Sequence, residues 1–267
     1  AGPAGDVPAQ SLTKPPAHSP NISAVVSPIA ATGGIGAVLP APRRILIPNS
    51  TRSLDRIVTP DDLLCFVKGY ADIARAALTT LPQQRPALAV SIAGPGGLRP
   101  DPGSPSFLSL LNAMKHAAPP VYDIRSSIFH EPSGLVSTQL DITLAPFEPT
   151  YFNVGYTLTF QAGAKPKLVK EAAEAAVRAR YVFANQDFGQ PVRATEIEQL
   201  LRGVDGVSSA QVDLLAYTLA DPGNVAQTLT PILAALPARI DDGSVLGAQI
   251  LMLNPLVGGI RPTEDKS

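Results

Sequence analysis

Cysteine is nearly missing from this sequence: Cys65 stands alone in 267 residues, which excludes an internal disulfide framework and the usual structural zinc set. Tryptophan is absent and aromatics make up 5% of the chain, little stacking surface for a sugar platform or a single-strand groove. No apolar run reaches the roughly 18 residues of a membrane span, and no secretory leader opens the sequence. An excess of one charge is lacking too. The 21 Lys and Arg against 22 Asp and Glu leave a formal net charge of −1, with no basic tract, so there is no electrostatic case for nucleic acid. The chain begins at Ala1 rather than methionine, which reads as a fragment or processed product.

What is present is punctuation: 28 prolines and 21 glycines within a composition that is still 45% hydrophobic, which argues against wholesale disorder. A chain of this length holds one large domain or two small ones. Residues 1–56 are rich in Pro, Ala and Gly and read as an extended arm, because their prolines forbid a long helix. Arg56-Ile57-Val58-Thr59-Pro60-Asp61-Asp62 then makes a helix start, with Thr59 as cap, Pro60 in the first turn and two acids after it. Strands are expected over 73–79, 87–92, 121–128, 136–144 and 151–160, and a helix from Pro105 to His116.

Lys167–Ala184 has the pattern of an amphipathic helix. Leu168, Ala172, Ala175, Ala176, Ala179, Val182 and Phe183 share an apolar face, opposite Lys170, Glu171, Glu174 and Arg178. A corner at Asp187-Phe188-Gly189-Gln190-Pro191-Val192 follows. A second helix is expected to open at Thr195, its cap, with Glu198 completing a capping box. Ile197, Leu200, Leu201 and Val204 form its inner face, and Gly203 or Gly206 ends it in a left-handed conformation. A strand is expected over 207–218, and one or two closing strands over 240–253. The sum is an α+β protein: two small sheet-plus-helix domains, ferredoxin-like in character with mainly antiparallel sheets, at 57–147 and 148–257, preceded by the arm and followed by a tail at 258–267.

Candidate chemistry is thin. Gly33-Gly34-Ile35-Gly36 is followed by Pro40 and Pro42, so no helix can receive a phosphate there and the glycines read as a turn. His18, His116 and His130 have no metal-ligand spacing. Asp61 and Asp62 sit at a helix start, and Asp241-Asp242-Gly243 reads as a turn. Cys65 has no suggested base and reads as a buried helix thiol. No catalytic set, cofactor, metal or small-molecule substrate is expected. This favours a binding or structural module over an enzyme.

The order of segments resembles the baseplate J-like proteins of contractile phage tails and contractile injection systems. The carrying residues are Gly5 to Leu12, the turn ending Thr32-Gly33-Gly34, the run from Arg56 through Thr59 to Asp62, and the passage from the strand at 151–160 through Phe188-Gly189-Gln190-Pro191 and Thr195 to Gly206-Val207. The chain departs from the family pattern after the double glycine, where Val38 stands and no acid is near. The resemblance implies a wedge subunit that surrounds a hub and tube. Six wedges would close a ring and help trigger sheath contraction, and the particle would assemble in the bacterial cytoplasm. Its implied partners are neighbouring wedges, hub or spike proteins and sheath-proximal baseplate proteins, with no nucleic acid and no membrane span. A glycan-binding fibre or adhesin module is the alternative reading, and a hydrolase a distant one.

Overall fold

The computed structural model describes residues 56–70, 72–83, 87–127, 140–218, 229–255 and 259–262. The arm up to residue 55, with Thr32, Gly33 and Gly34, lies outside them.

The first helix, α1 (Pro60–Lys68), starts as its sequence dictates. Thr59 Oγ1 accepts from the Asp62 amide at 3.2 Å, and Asp62 Oδ2 accepts from the Thr59 amide at 3.0 Å. This reciprocal box satisfies two donors that a helix end otherwise leaves bare. Leu63 and Val67 point inward, one turn apart, while Cys65 is only half-buried. Strands β1 (Arg75–Leu81) and β2 (Ala87–Ala93) form an antiparallel pair. Helix α2 (Pro105–Ala117), capped by Ser104, carries the chain over to β3 (Tyr122–Ser126), and β4 (Leu140–Pro146) follows. The strand order is β1-β2-β4-β3, and β4 runs parallel to both its neighbours. Phe107, Leu110 and Met114 of α2 pack with Leu63 and Val67 onto the Leu88, Val90 and Ile92 face of β2.

The other face of β2 is buried as well, so the whole strand is hidden. Ala87 and Ala89 meet Ala145, Ala238, Val245 and Ala248 there. Small side chains on both sides bring the two layers close.

At Phe147 the chain passes directly from β4 into β5 (Glu148–Phe160), the spine of the second sheet. Strand β7 (Val207–Tyr217) pairs with it antiparallel, with irregularities beside Gly155 and Phe160. Strands β11 (Gln249–Leu253) and β12 (Ile260–Pro262) pair with it parallel. Helices α3 (Pro166–Arg180) and α4 (Ala194–Arg202) cover one face, and a second core forms around Phe152, Val154, Tyr156, Leu158, Val177 and Ile197. Short strands β6 (Val192–Arg193) and β8 (Ile232–Leu233) pair with each other, as do β9 (Arg239–Asp241) and β10 (Ser244–Leu246).

Several expectations are corrected. The sheets are mixed rather than mainly antiparallel, because β4, β11 and β12 all make parallel pairs; this departs from a ferredoxin-like pattern. Residues 260–262, expected in a tail, form a strand of the second sheet. Helix α3 ends at Arg180, and residues 183–185 form a separate 3-10 turn. Its buried stripe is Val169, Ala173 and Val177, set one residue round from the expected face. Leu168, Ala172, Ala175 and Ala179 instead face solvent. The Glu174–Arg178 surface pair does form, at 2.8 Å.

Candidate assembly site at the junction of the two cores

The expected cap at Thr195 is absent. Helix α4 begins at Ala194, one residue before it, and neither Thr195 nor any other side chain caps the start. Val192 and Arg193 are drawn into the β6–β8 pairing, and the Ala194 amide donates to the Pro231 carbonyl at 3.0 Å. With the helix already begun at Ala194, Thr195 lies inside its first turn, where the backbone carbonyls of the helix serve the following amides and leave no open donor for a cap at this residue. Glu198, freed from the capping box, works elsewhere. Its Oε1 accepts from the Val212 amide at 3.1 Å, while Arg202 donates to the Ala210 carbonyl at 3.2 Å and to Glu198 Oε2 at 3.4 Å. Together they close part of the outer edge of β7 that would otherwise offer unpaired groups. Gly203 ends the helix in a right-handed conformation, and Gly206 is the left-handed residue, at φ 89°. A Cβ on Gly206 would lie 2.8 Å from Val169 Cγ2.

The corner after α3 is the place where the two cores are tied together. Phe188 of the corner and Phe183 before it reach across to Phe147, the residue at which one sheet becomes the other. The ring of Phe147 lies 6.1 Å from Phe183, tilted, and 6.5 Å from Phe188, edge-on. Both geometries suit aromatic quadrupoles. Gly189, at φ 69°, lets the chain reverse after Phe188, and Pro191 leads out toward β6. Within the turn, the Phe188 amide donates to Asp187 Oδ1 at 2.8 Å and the Asp187 amide to Gln190 Oε1 at 3.2 Å.

Arg75 of β1 clamps the same corner from the other side. It donates to the carbonyls of Phe183 and Ala184 at 3.2 and 2.7 Å, lies 5.3 Å from the Phe183 ring centroid, and stands 3.6 Å from Asp187. Nothing in the sequence signalled this. A single arginine opening an apolar strand carries no spacing or motif, and its partners lie more than 100 residues away. One more link crosses the junction, the Ala248 amide donating to the buried Ser91 Oγ at 2.7 Å, while Arg239 donates to Glu148 at 2.8 Å at the start of β5.

Two tyrosines in the second core are perturbed. Burial pushes the Tyr156 phenol up to about 12, aided by Glu174 and opposed by Arg178. Burial likewise lifts Tyr181 to about 12, against the pull of Arg180 and with Glu196 adding to the rise. These phenols stay neutral as part of the packing.

Clefts in the surface carry little chemistry. One of about 590 Å³ lies between the 99–102 loop and residues 244–247, with Arg99, Asp101, Ser127 and Ser244 as its polar lining. Asp101 Oδ1 already accepts from the Gly103 amide at 3.0 Å. Among the described residues no three His, Cys, Asp or Glu side chains gather as a metal site, and no helix is long and apolar enough to cross a membrane.

Part of the chain is similar to known proteins. Residues 55–126 match the family described as the Baseplate J-like central domain, a segment that runs from before α1 to the end of β3 and includes Arg56, Thr59 and Asp62. That segment is similar to the family and makes up well under half of the chain. The Phe188–Pro191 corner lies outside the matched segment. Among solved structures, the chain is similar to a chain of the 6-fold symmetrised cryo-EM structure of the anti-feeding prophage (AFP) baseplate, at 15% identity and a TM-score of 0.42. The similarity covers 74% of this chain and 41% of that one, so this chain spans less than half of its length. No curated protein sequence matches the chain.

Proposed function

We propose that this chain is a structural subunit of the baseplate of a contractile injection system or phage tail, and specifically a wedge component. The observation that carries the reading is the match of residues 55–126 to the baseplate J-like central domain. The thin chemistry of the described residues agrees with a role in assembly. In this reading the chain binds neighbouring wedge subunits, hub or spike proteins and sheath-proximal proteins, and six wedges close a ring by repeated heterologous contacts. The particle is put together in the bacterial cytoplasm. The junction of the two cores keeps the binding faces at a fixed angle, so that a change at one face is passed to the other as the baseplate rearranges ahead of sheath contraction.

The test is to sediment intact particles from the source cells and search them for this chain by peptide mass spectrometry. Co-sedimentation with sheath and tube proteins, in a few copies per particle, is the expected outcome. A chain recovered only in the soluble fraction refutes the reading.

A further inference from the structure

The segment between α3 and β6 has both feet in the second core and its middle laid on the first. At one foot Tyr181 is buried, edge-on to Phe152 at 5.3 Å, and its carbonyl accepts from the Leu253 amide at 3.2 Å. At the other foot Val192 is buried and paired with Leu233. Among the described residues, the main-chain amides of 182–190 bond only within the segment. Asn185 donates to the Val182 carbonyl, Gln186 to that of Phe183 and Gln190 to that of Asp187, at 3.0, 3.2 and 3.4 Å. The amides of Asp187 and Phe188 turn to the side chains of Gln190 and Asp187. None of them donates to a strand of either sheet. Side chains alone therefore hold the segment to the first core. They are the Arg75 clamp, the rings of Phe183 and Phe188 against Phe147, and Phe183 resting on Gly97, where a Cβ would lie 3.0 Å from its Cγ. The closed position also carries a cost. Gln186 is 1% exposed, and its Oε1 has no partner among the described residues; nor has the buried Nε of Arg75. Buried polar atoms without partners favour any state that returns them to water.

We propose that residues 182–190 form a strap that lifts off the first core as a unit while both cores stay folded. Lifting breaks no main-chain hydrogen bond of either sheet. It parts Phe183 and Phe188 from Phe147 and opens Arg75 Nε and Gln186 Oε1 to water. It also bares an apolar patch of Ala93, Phe147 and Ile250, each fully buried while the strap is down. An opening of this kind sits at the low end of the range of local unfolding energies, well below that of either core. The Arg75–Asp187 pair is the outermost tie, with side-chain exposures of 24% and 65%, so water and partners reach its Asp187 end first. The strap is thus a latch between the two cores, and its presence does not depend on the chain being a baseplate subunit.

Thiol labelling of the full chain with iodoacetamide, in a Cys65→Ser background, tests it. Ala93→Cys places the thiol under the strap. Ala173→Cys and Met114→Cys place it in the second and first cores, at positions that are also fully buried. Without urea, Ala93→Cys should be labelled at least about tenfold faster than the other two. Its rate should rise little with urea, because a local opening exposes little surface. Asp187→Asn keeps an acceptor for the Phe188 amide but loses the ion pair. It should speed labelling at Ala93→Cys about two- to fivefold, as for an exposed pair, and leave the other two rates unchanged. Chymotrypsin gives a second reading on the chain without engineered cysteines. Cuts after Phe183 and Phe188 should appear under native conditions, and Arg75→Gln should speed them at least about tenfold, as for lost charged hydrogen bonds. Labelling of Ala93→Cys in step with the two core positions at every urea concentration overturns the proposal. So do cuts in the strap that appear only where the whole chain unfolds.

Discussion

Replacing Phe147 with alanine should cost about 4 kcal/mol, within the roughly 3–5 kcal/mol typical of deleting a buried phenylalanine. The upper half of that range is chosen for a structural reason. The ring is fully buried where β4 becomes β5, and its loss removes two aromatic contacts at once, to Phe183 and Phe188. Each such contact is worth about 0.5–1.5 kcal/mol beyond the area it buries. Sheets meet on both sides of the site, so collapse into the cavity is limited. Against a total stability of about 5–15 kcal/mol, the loss is large. Urea unfolding followed by far-UV circular dichroism measures it, with Phe147→Leu as a milder control. Because each core keeps its own apolar centre, the alanine variant should also lose the single sharp transition and unfold in two steps. A double-mutant cycle with Phe188→Ala should give a coupling of about 0.5–1.5 kcal/mol. A loss below about 1.5 kcal/mol, or strictly additive effects, would refute the view that this ring couples the two cores.

Thr195→Ala should change stability by less than about 0.5 kcal/mol, as for an exposed position away from any cap, whereas Glu198→Ala should cost about 1.5–3 kcal/mol by leaving the Val212 amide without its charged acceptor; thermal melts that rank them in reverse would restore the expected cap. Gly206→Ala should lose about 2 kcal/mol or more, from the positive φ and the contact with Val169, and Val169→Ala should relieve part of that loss; equal melting temperatures for Gly206→Ala and the parent would count against it. Alkaline titration probes the buried phenols. Tyr156 and Tyr181 ionise near 10 in the unfolded chain but near 12 in the fold. The unfolded state therefore holds fewer protons between those values, and the stability they contribute, complete below pH 10, falls as pH rises toward 12. Urea midpoints should drop across that window in the parent and drop less in Tyr181→Phe; an unchanged slope would contradict the assignment.

How much of this was legible in the sequence depends on how local the physics is. The start of α1 is written in four consecutive residues, Thr59 to Asp62, and the structure has it as read. The strands at 87–93 and 207–217 follow from alternation and apolar content, within a residue or two. Helix α4 was placed correctly but its start misread. Thr195 and Glu198 have the spacing of a capping box, yet the pairing of Val192 and Arg193 with the distant strand β8 ends the extended chain at Arg193 and starts the helix at Ala194, one residue too early for Thr195 to cap it. Parallel pairing was invisible because alternation in a strand shows which side chains are buried but not the direction of the neighbouring strand, which the connections set. On α3, two apolar stripes compete, and the one with more members proved to be the outer one. Of the junction, Phe188 stood out as a motif residue. Its partners Phe147 and Arg75 did not, since only tertiary contact gives them meaning.

The outer face of β2 is finished by residues that come late. Ala87 and Ala89 wait for Ala238, Val245 and Ala248, so about 150 residues must be synthesised before that face is covered. At about 5–20 residues per second on the ribosome, this leaves an alanine-lined sheet face open for roughly ten seconds or more. During that interval the nascent chain exposes small, nearly flat side chains with little area to bury, which offers a passing chain far less to grip than leucine or phenylalanine would. The alanines that let the two layers sit close in the finished protein also keep the half-made one from sticking.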